Sequence, residues 1–312
     1  MISDVTKALL SPPRVGLGCM RLSIGGRPDW AEAKKVIRTA VEGGVNHLDT
    51  ADVYALDDSD IGCNERLIGE TLREMGIGLG NPCPAVIVAT KGGRRRPDGA
   101  WTCDGRPSHL RRACEASLVA LGLETLPLYY LHAVDPGIPL EESVGALDEL
   151  RGEGKILALG LSNVGLKEIR RAEAVARIDA VQNQLTPWGV GGRPSPVVRH
   201  CEKKGMIFAA HTPLGGREGV ARLRSSAEFD ELAARVGADA AQLAIKALQM
   251  ESPVVLPIPG ATSVTSASST AAAASVELTV EDQEQLRRAV RRLPGRASAL
   301  RRILGRVRRA FG

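Results

Sequence analysis

Large aromatic side chains are scarce. Three tryptophans, three tyrosines and three phenylalanines make up 3% of 312 residues. The core must therefore be filled mainly by aliphatic side chains, and the position of each ring carries information. Long apolar runs are also missing: no stretch approaches the roughly 18 uninterrupted residues that a membrane helix needs. The first fourteen residues hold Asp4, Lys7, Ser11 and two prolines. They lack the basic-then-apolar layout of a secretion signal, so the expected compartment is the cytoplasm. Six cysteines contain no C-x-x-C pair and no metal-finger spacing. Reduced, packed thiols are expected rather than a disulfide framework. No Asp, Glu and His cluster has ligand spacing, so no metal is expected. There is no G-x-G-x-x-G after an apolar run and no G-x-x-x-x-G-K-[ST]. A Rossmann sheet and a P-loop lose their main support.

The net charge of +5 misrepresents most of the chain. Ten of the 41 basic residues are arginines between Arg287 and Gly312, where no acid occurs. The first 286 residues keep 31 basic against 36 acidic residues and form an acidic body. The division expected is one domain over residues 1–294 and a basic tail over 295–312. In the tail, Leu300, Ile303, Leu304, Val307 and Phe311 fall on one helical face and arginines cover much of the remainder. Such a helix suits docking on the acidic body, on a second subunit or on an anionic surface. No nucleic-acid motif accompanies the arginines, so a nucleic-acid partner is not expected.

Along the body, apolar runs alternate with amphipathic stretches. Strands are expected at Arg14–Gly18, Val45–Leu48, Ala85–Thr90, Leu126–Leu131, Ile156–Leu161, Ala180–Gln184, Met206–Ala210 and Val254–Ile258. Helical patterns separate them, with Asp29 and Asn64 as expected N-caps. Eight βα units at this length imply parallel strands with right-handed crossovers, an α/β fold of the (β/α)8 TIM-barrel type.

A barrel gathers the C-terminal ends of its strands at one mouth. Asp49 ends the second strand, and Tyr54 follows in the next loop. Lys91 ends the third and His132 the fourth. A free tyrosine has a pKa near ~10 and is a poor acid at neutral pH. A neighbouring ammonium, held by Asp49, is expected to lower it. Tyr54 could then protonate a carbonyl oxygen that His132 holds by a hydrogen bond. No nucleophile accompanies this set, so it needs a hydride source such as a nicotinamide. Asn163 and Gln184 suit the carboxamide of that ring, and His211 suits stacking on its face. His47 reads as a satisfied core histidine, and His109 and His200 as surface residues. Trp101, Trp188 and Trp30 are candidate substrate-pocket residues. Arg94, Arg95 and Arg96 read either as an attractor for an anionic substrate or as an exposed loop.

Seven segments in order, each at an expected strand end, resemble the aldo-keto reductase family. They are Leu48-Asp49-Thr50-Ala51-Asp52-Val53-Tyr54, Ala89-Thr90-Lys91, Tyr130-Leu131-His132, Gly160-Leu161-Ser162-Asn163, Gln182-Asn183-Gln184, Thr212-Pro213-Leu214-Gly215 and Pro257-Ile258-Pro259-Gly260. The resemblance implies NAD(P)H-dependent reduction of an aldehyde or ketone. Tyr54 would be the acid, Lys91 and Asp49 would tune it, and His132 would orient the substrate. It also implies cofactor contacts from Asp49, Ser162, Asn163, Gln184, His211, Thr212, Pro213, Leu214, Gly215, Ile258, Gly260 and Ser263. Relatives commonly carry basic residues near Ser263 and Ser268. Here no lysine or arginine lies between Ala247 and Leu286. NADP(H) is implied by the family and NAD(H) is not excluded; Arg217, Arg222 and Arg224 are alternative cations. The competing expectation is a nicotinamide-binding redox-sensing or partner-binding subunit that uses its basic tail.

Overall fold

The computed structural model describes residues 4–11, 14–78, 86–189 and 195–293. The expected basic tail lies outside the described residues. Ten strands are numbered in chain order. Eight form one sheet: β1 Leu17–Gly18, β2 His47–Asp49, β3 Ile87–Gly92, β6 Leu126–Leu131, β7 Ile156–Ser162, β8 Ala180–Gln184, β9 Ile207–His211 and β10 Val255–Ile258. Neighbours are parallel and follow chain order. The ring closes where the N–H of Gly16 donates to Pro257 O and that of Gly18 to Pro259 O, both at 2.9 Å. Glycine is required at Gly16, because a Cβ there would lie 2.7 Å from the His47 ring and 2.8 Å from Ile258. The expected (β/α)8 barrel is the fold observed.

The alternation of strand side chains positions the site. Ile87, Ala89, Leu128, Tyr130, Ala158, Ala180, Ile207, Ala209, Leu256 and Ile258 form a cluster inside the ring. Lys91, Ser162, Gln182, Gln184 and His211 share their parity one or two layers higher, and His132 follows the end of β6. Each inward series is thus apolar below and polar at the mouth. Opposite parity puts Leu48, Val88, Tyr129, Leu131, Leu159, Leu161, Val181 and Phe208 under the outer helices. Burial of each large aliphatic side chain contributes roughly 1.5–3 kcal/mol.

The helices are α1 Asp4–Leu10, α2 Trp30–Glu42, α3 Cys63–Glu74, α4 Pro107–Leu121, α5 Leu140–Gly152 and α6 Leu166–Glu173. They continue with α7 Pro196–Lys204, α8 Gly216–Arg224, α9 Ala227–Val236, α10 Ala240–Gln249, α11 Val264–Ala272 and α12 Val280–Arg292. Asp29 caps α2 as expected, accepting from the Glu32 N–H at 2.8 Å. Three elements were not anticipated. Helix α1 joins the interior cluster through Val5 and Leu9. Helix α8 follows the ninth strand. Strands β4 Arg94–Arg95 and β5 Thr102–Cys103 pair as an antiparallel hairpin above β3. Asn64 is not the cap of α3: Gly62 takes that place, and Asn64 is buried within the first turn. Its side chain bonds Thr50, Cys19 and Ser23 instead.

Candidate active site

Short, buried contacts hold the loop that carries Tyr54. Thr50 Oγ1 donates to Asn64 Oδ1 at 2.6 Å. The Asn64 amide donates to Cys19 O at 2.9 Å and to Ser23 Oγ at 2.6 Å. Ser23 in turn donates to the carbonyl of Tyr54. Asn64 thus ties three segments together, which explains why it is not a helix cap.

Lys91 is fully buried. Its Nζ donates to Asp49 Oδ2 at 2.8 Å, to Thr50 O at 2.6 Å and to Tyr54 Oη at 3.2 Å. Asp49 also accepts from Gln182 Nε2 at 2.6 Å. Removing these charges from water is costly, and only close pairing with hydrogen bonds makes it tolerable. Burial opposes the charge on Lys91, but Asp49 and Tyr54 outweigh it, and the ammonium is held above its ordinary pKa. The expected acidification of Tyr54 does not emerge. Burial is the larger influence and raises the phenol above its ordinary value, while Lys91 opposes this only in part. The phenol therefore remains protonated until something stabilises its anion.

His132 sits beside this group, its ring centroid 5.8 Å from that of Tyr54 in an edge-on arrangement. Burial, with the charges of Lys91 and Arg94, pushes its pKa well below the usual histidine value. It is a neutral ring with one N–H to donate. His211 is also neutral, lowered to about 4 chiefly by burial. The four tetrad residues predicted from the sequence do converge.

Asn163 lies at φ 59°, a left-handed conformation that asparagine tolerates. Its Nδ2 donates to His132 O and Ser162 Oγ, both at 3.0 Å. Gln184 is exposed at the mouth and is paired in register with His211. Thr212 has φ 51°, which is strained for a β-branched residue. Its hydroxyl lies 3.0 Å from His211 Nδ1. Pro213 is buried, and Leu214 packs beside Trp188. Gly215 approaches so closely that a Cβ would meet the Trp188 ring at 2.6 Å. Ile258 belongs to the interior cluster, and Gly260 bridges to Gly18. Ser263 caps α11.

The three tryptophans separate. Trp101 is exposed, with its ring 6.2 Å from that of His132. Trp188 is buried against Leu223, Phe229 and Leu232, beneath the 211–215 segment. Trp30 donates to Glu70 on α3 at 3.2 Å, along the outer helices. Only Trp101 contacts a tetrad residue. His47 is buried as expected, but neither ring nitrogen bonds another described residue; burial lowers its pKa to about 4. His109 and His200 are partly buried rather than on the surface, near Asp104 and Glu173 respectively. Gln182 was not among the expected site residues. Its signal was parity, since it lies two positions before Gln184 on the same face.

The family model for the aldo/keto reductase family matches residues 14–291. The chain belongs to the aldo/keto reductase family. The probable aldo-keto reductase 1 of Glycine max is 32% identical over 309 residues, covering 89% of this chain and 85% of the relative. An aldo/keto reductase from Klebsiella pneumoniae, solved with NADP and acetate, superposes with a TM-score of 0.72 at 26% identity. That match covers 89% of this chain and 92% of the other. The glycerol dehydrogenase of Gluconobacter oxydans shares the fold, with a TM-score of 0.73 at 24% identity over 90% of this chain and 92% of that one. This reductase is thus an oxidoreductase that reduces carbonyl groups with a nicotinamide cofactor. Among the described residues, no helix is long and apolar enough to cross a membrane.

Proposed function

We propose that Tyr54 is the proton donor of this carbonyl reductase, supported by Lys91, Asp49, His132 and Gln182. The observation that carries the reading is the buried Lys91 ammonium, 2.8 Å from the Asp49 carboxylate and 3.2 Å from Tyr54 Oη. The uncharged donors and acceptors at the mouth fit a neutral carboxamide: the Ser162 hydroxyl and the Asn163 and Gln184 amides, with the half-buried His211 ring across from Gln184. When bound, the reduced nicotinamide supplies the hydride to the carbonyl carbon.

His132, neutral and edge-on to Tyr54, offers its N–H to the carbonyl oxygen. Tyr54 gives its proton to the same oxygen as negative charge develops there. The charge left on the phenol oxygen then lies beside the ammonium, which costs no rearrangement because Asp49 and the Thr50 carbonyl already hold it. Asp49 is therefore a support for Lys91 and not a base. Gln182 fixes the second Asp49 oxygen and keeps the first aimed at Lys91.

NADP(H) is the cofactor we propose, as in the Klebsiella relative. At the start of α11 the groups available to its phosphate are hydroxyls and backbone amides around Ser263 and Ser266 rather than a cation. NAD(H) remains the natural competitor. Five described cysteines are free, four of them buried, which suits a reducing cytoplasm.

Tyr54→Phe tests the assignment. Turnover should fall by about 10²–10⁴-fold. Fluorescence titration should give unchanged dissociation constants for NADPH and NADH. Cofactor binding lost with the hydroxyl, or turnover that survives without it, overturns the role of Tyr54.

A further inference from the structure

Three consecutive arginines follow β3, and the structure gives them different roles. Arg95 pairs with Asp58 at 3.4 Å. Arg96 is nearly buried; its guanidinium donates to Leu56 O at 3.1 Å and lies 4.2 Å from the Trp101 ring centroid. Arg94 forms no ion pair among the described residues. Its guanidinium carbon is 5.7 Å from the Trp101 ring, and that ring is 6.2 Å from His132. The Trp101 ring is thus close to Arg94, Arg96 and the tetrad residue His132 at once. Lys91 is paired with Asp49, and Arg96, which also lacks a carboxylate partner among the described residues, donates to the Leu56 carbonyl, so Arg94 is the unpaired cation that acts on His132. Its influence reaches the imidazole, since its positive charge contributes to the lowered His132 pKa.

We infer that Arg94 makes this reductase favour carbonyl substrates that carry an anionic group, a carboxylate above all, with Trp101 as the apolar surface between that group and the carbonyl. The inference rests on the assignment of the carbonyl to Tyr54 and His132. A guanidinium beside an aromatic face suits it, because a planar carboxylate can accept two parallel N–H bonds while the body of the substrate lies on the ring. A neutral aldehyde of the same size uses the ring alone. The hairpin supplies rigidity: β4 and β5 pair Arg94 with Cys103 and Arg95 with Thr102, which brackets Trp101 next to the second strand.

The test is steady-state reduction of 4-carboxybenzaldehyde and 4-nitrobenzaldehyde, with NADPH and with NADH. The wild-type protein should have the higher kcat/KM for the carboxylate. In Arg94→Gln the carboxylate-to-nitro ratio of kcat/KM should fall by about tenfold or more, expressed in KM rather than kcat. Arg95→Gln, whose partner is Asp58, should leave the ratio unchanged. Raising salt from about 20 mM to about 500 mM should raise the wild-type KM for the carboxylate and not for the nitro compound. This last measurement decides the matter even if Arg94→Gln fails to fold. An unchanged ratio in folded Arg94→Gln, or equal salt responses for the two aldehydes, overturns the inference. Turnover of neither aldehyde by the wild-type protein would instead overturn the carbonyl reading beneath it.

Discussion

The mouth of this barrel has two unlike sides. On the β2–β6 side the charges are buried and paired in advance. Lys91 is fully buried with three contacts, and Asp49 has both oxygens engaged. The segment from β10 through α11 carries no lysine or arginine of its own. Serines there satisfy one another: Ser263 accepts from the Ser266 N–H at 3.2 Å, and Ser266 Oγ accepts from the N–H groups of Thr262 and Ser263. Ser269 donates to Asp239. The difference teaches that the two sides answer different demands. On the proposed assignment, the first side transfers the proton, which needs an electrostatic environment that does not rearrange during reaction, and its charges are locked in the core. The second side, on the same proposal, holds a phosphate, a task that exposed hydroxyls and backbone amides can serve at some loss of discrimination.

Breaking the first side should have the largest effect. Lys91→Met strands Asp49 and should destabilise the fold by about 3–5 kcal/mol, read by chemical denaturation, together with loss of turnover. Pairing it with Asp49→Asn should recover part of the stability and none of the turnover. A double variant no more stable than Lys91→Met alone would show that the ion pair is not what the buried charges depend on.

The same side also holds carboxyls without a cation. Glu65 is buried, accepts from Thr90 Oγ1 at 2.5 Å, and is raised by burial to about 7. Asp52 is raised as well, by burial first and then by Glu65. A raised carboxylate pKa means that the folded state binds the proton more tightly. Below the ordinary value both states are protonated and Glu65 contributes nothing. As pH rises from about 4.5 to about 7, the unfolded chain ionises first and stability falls. Glu65→Gln removes this penalty. Its stability relative to wild type should therefore improve between pH 4 and pH 8 by an amount on the order of 3 kcal/mol. Denaturation midpoints at the two pH values check it; a gap independent of pH would count against the shift.

The smallest effect is expected on the serine side. Ser268 is exposed on α11. Ser268→Arg adds the missing cation and should raise the NADPH-to-NADH ratio of kcat/KM by about tenfold. A ratio that does not move would place the phosphate elsewhere, with Arg217 and Arg224 the next positions to change.

The strand ends were readable in the sequence because alternation and barrel topology are local in origin. Of the eight strand runs, six close on a polar residue, and these sufficed to gather Asp49, Lys91, His132, Ser162, Gln184 and His211. Gln182 was harder to see. Its parity is right, but its partner Asp49 lies 133 positions away, and only closure of the ring brings the two together. Asn64 looked like a cap for the same reason: a cap is a local pattern, whereas its contacts with Cys19, Ser23 and Thr50 are not. Trp101, Trp188 and Trp30, each a candidate pocket residue in the sequence, lie in different surroundings because each ring follows its own loop or helix. Trp188 follows the packing of α8 and α9, and Trp30 follows α3.

The sequence by itself determined the βα alternation, the fold that follows from it, and the strand-end positions of Asp49, Lys91 and His132, with Tyr54 in the loop after Asp49, the four residues proposed as the tetrad. These depend on side-chain period and on which residue ends each strand. The tertiary structure alone decided the electrostatic sense of that tetrad. An ammonium beside a phenol lowers its pKa in water, yet in this core desolvation exceeds the attraction and the phenol is raised. It likewise decided that Arg94, of three adjacent arginines, is the one whose charge reaches His132. Burial and pairing are sums over all neighbours, and most of those neighbours are distant in the chain.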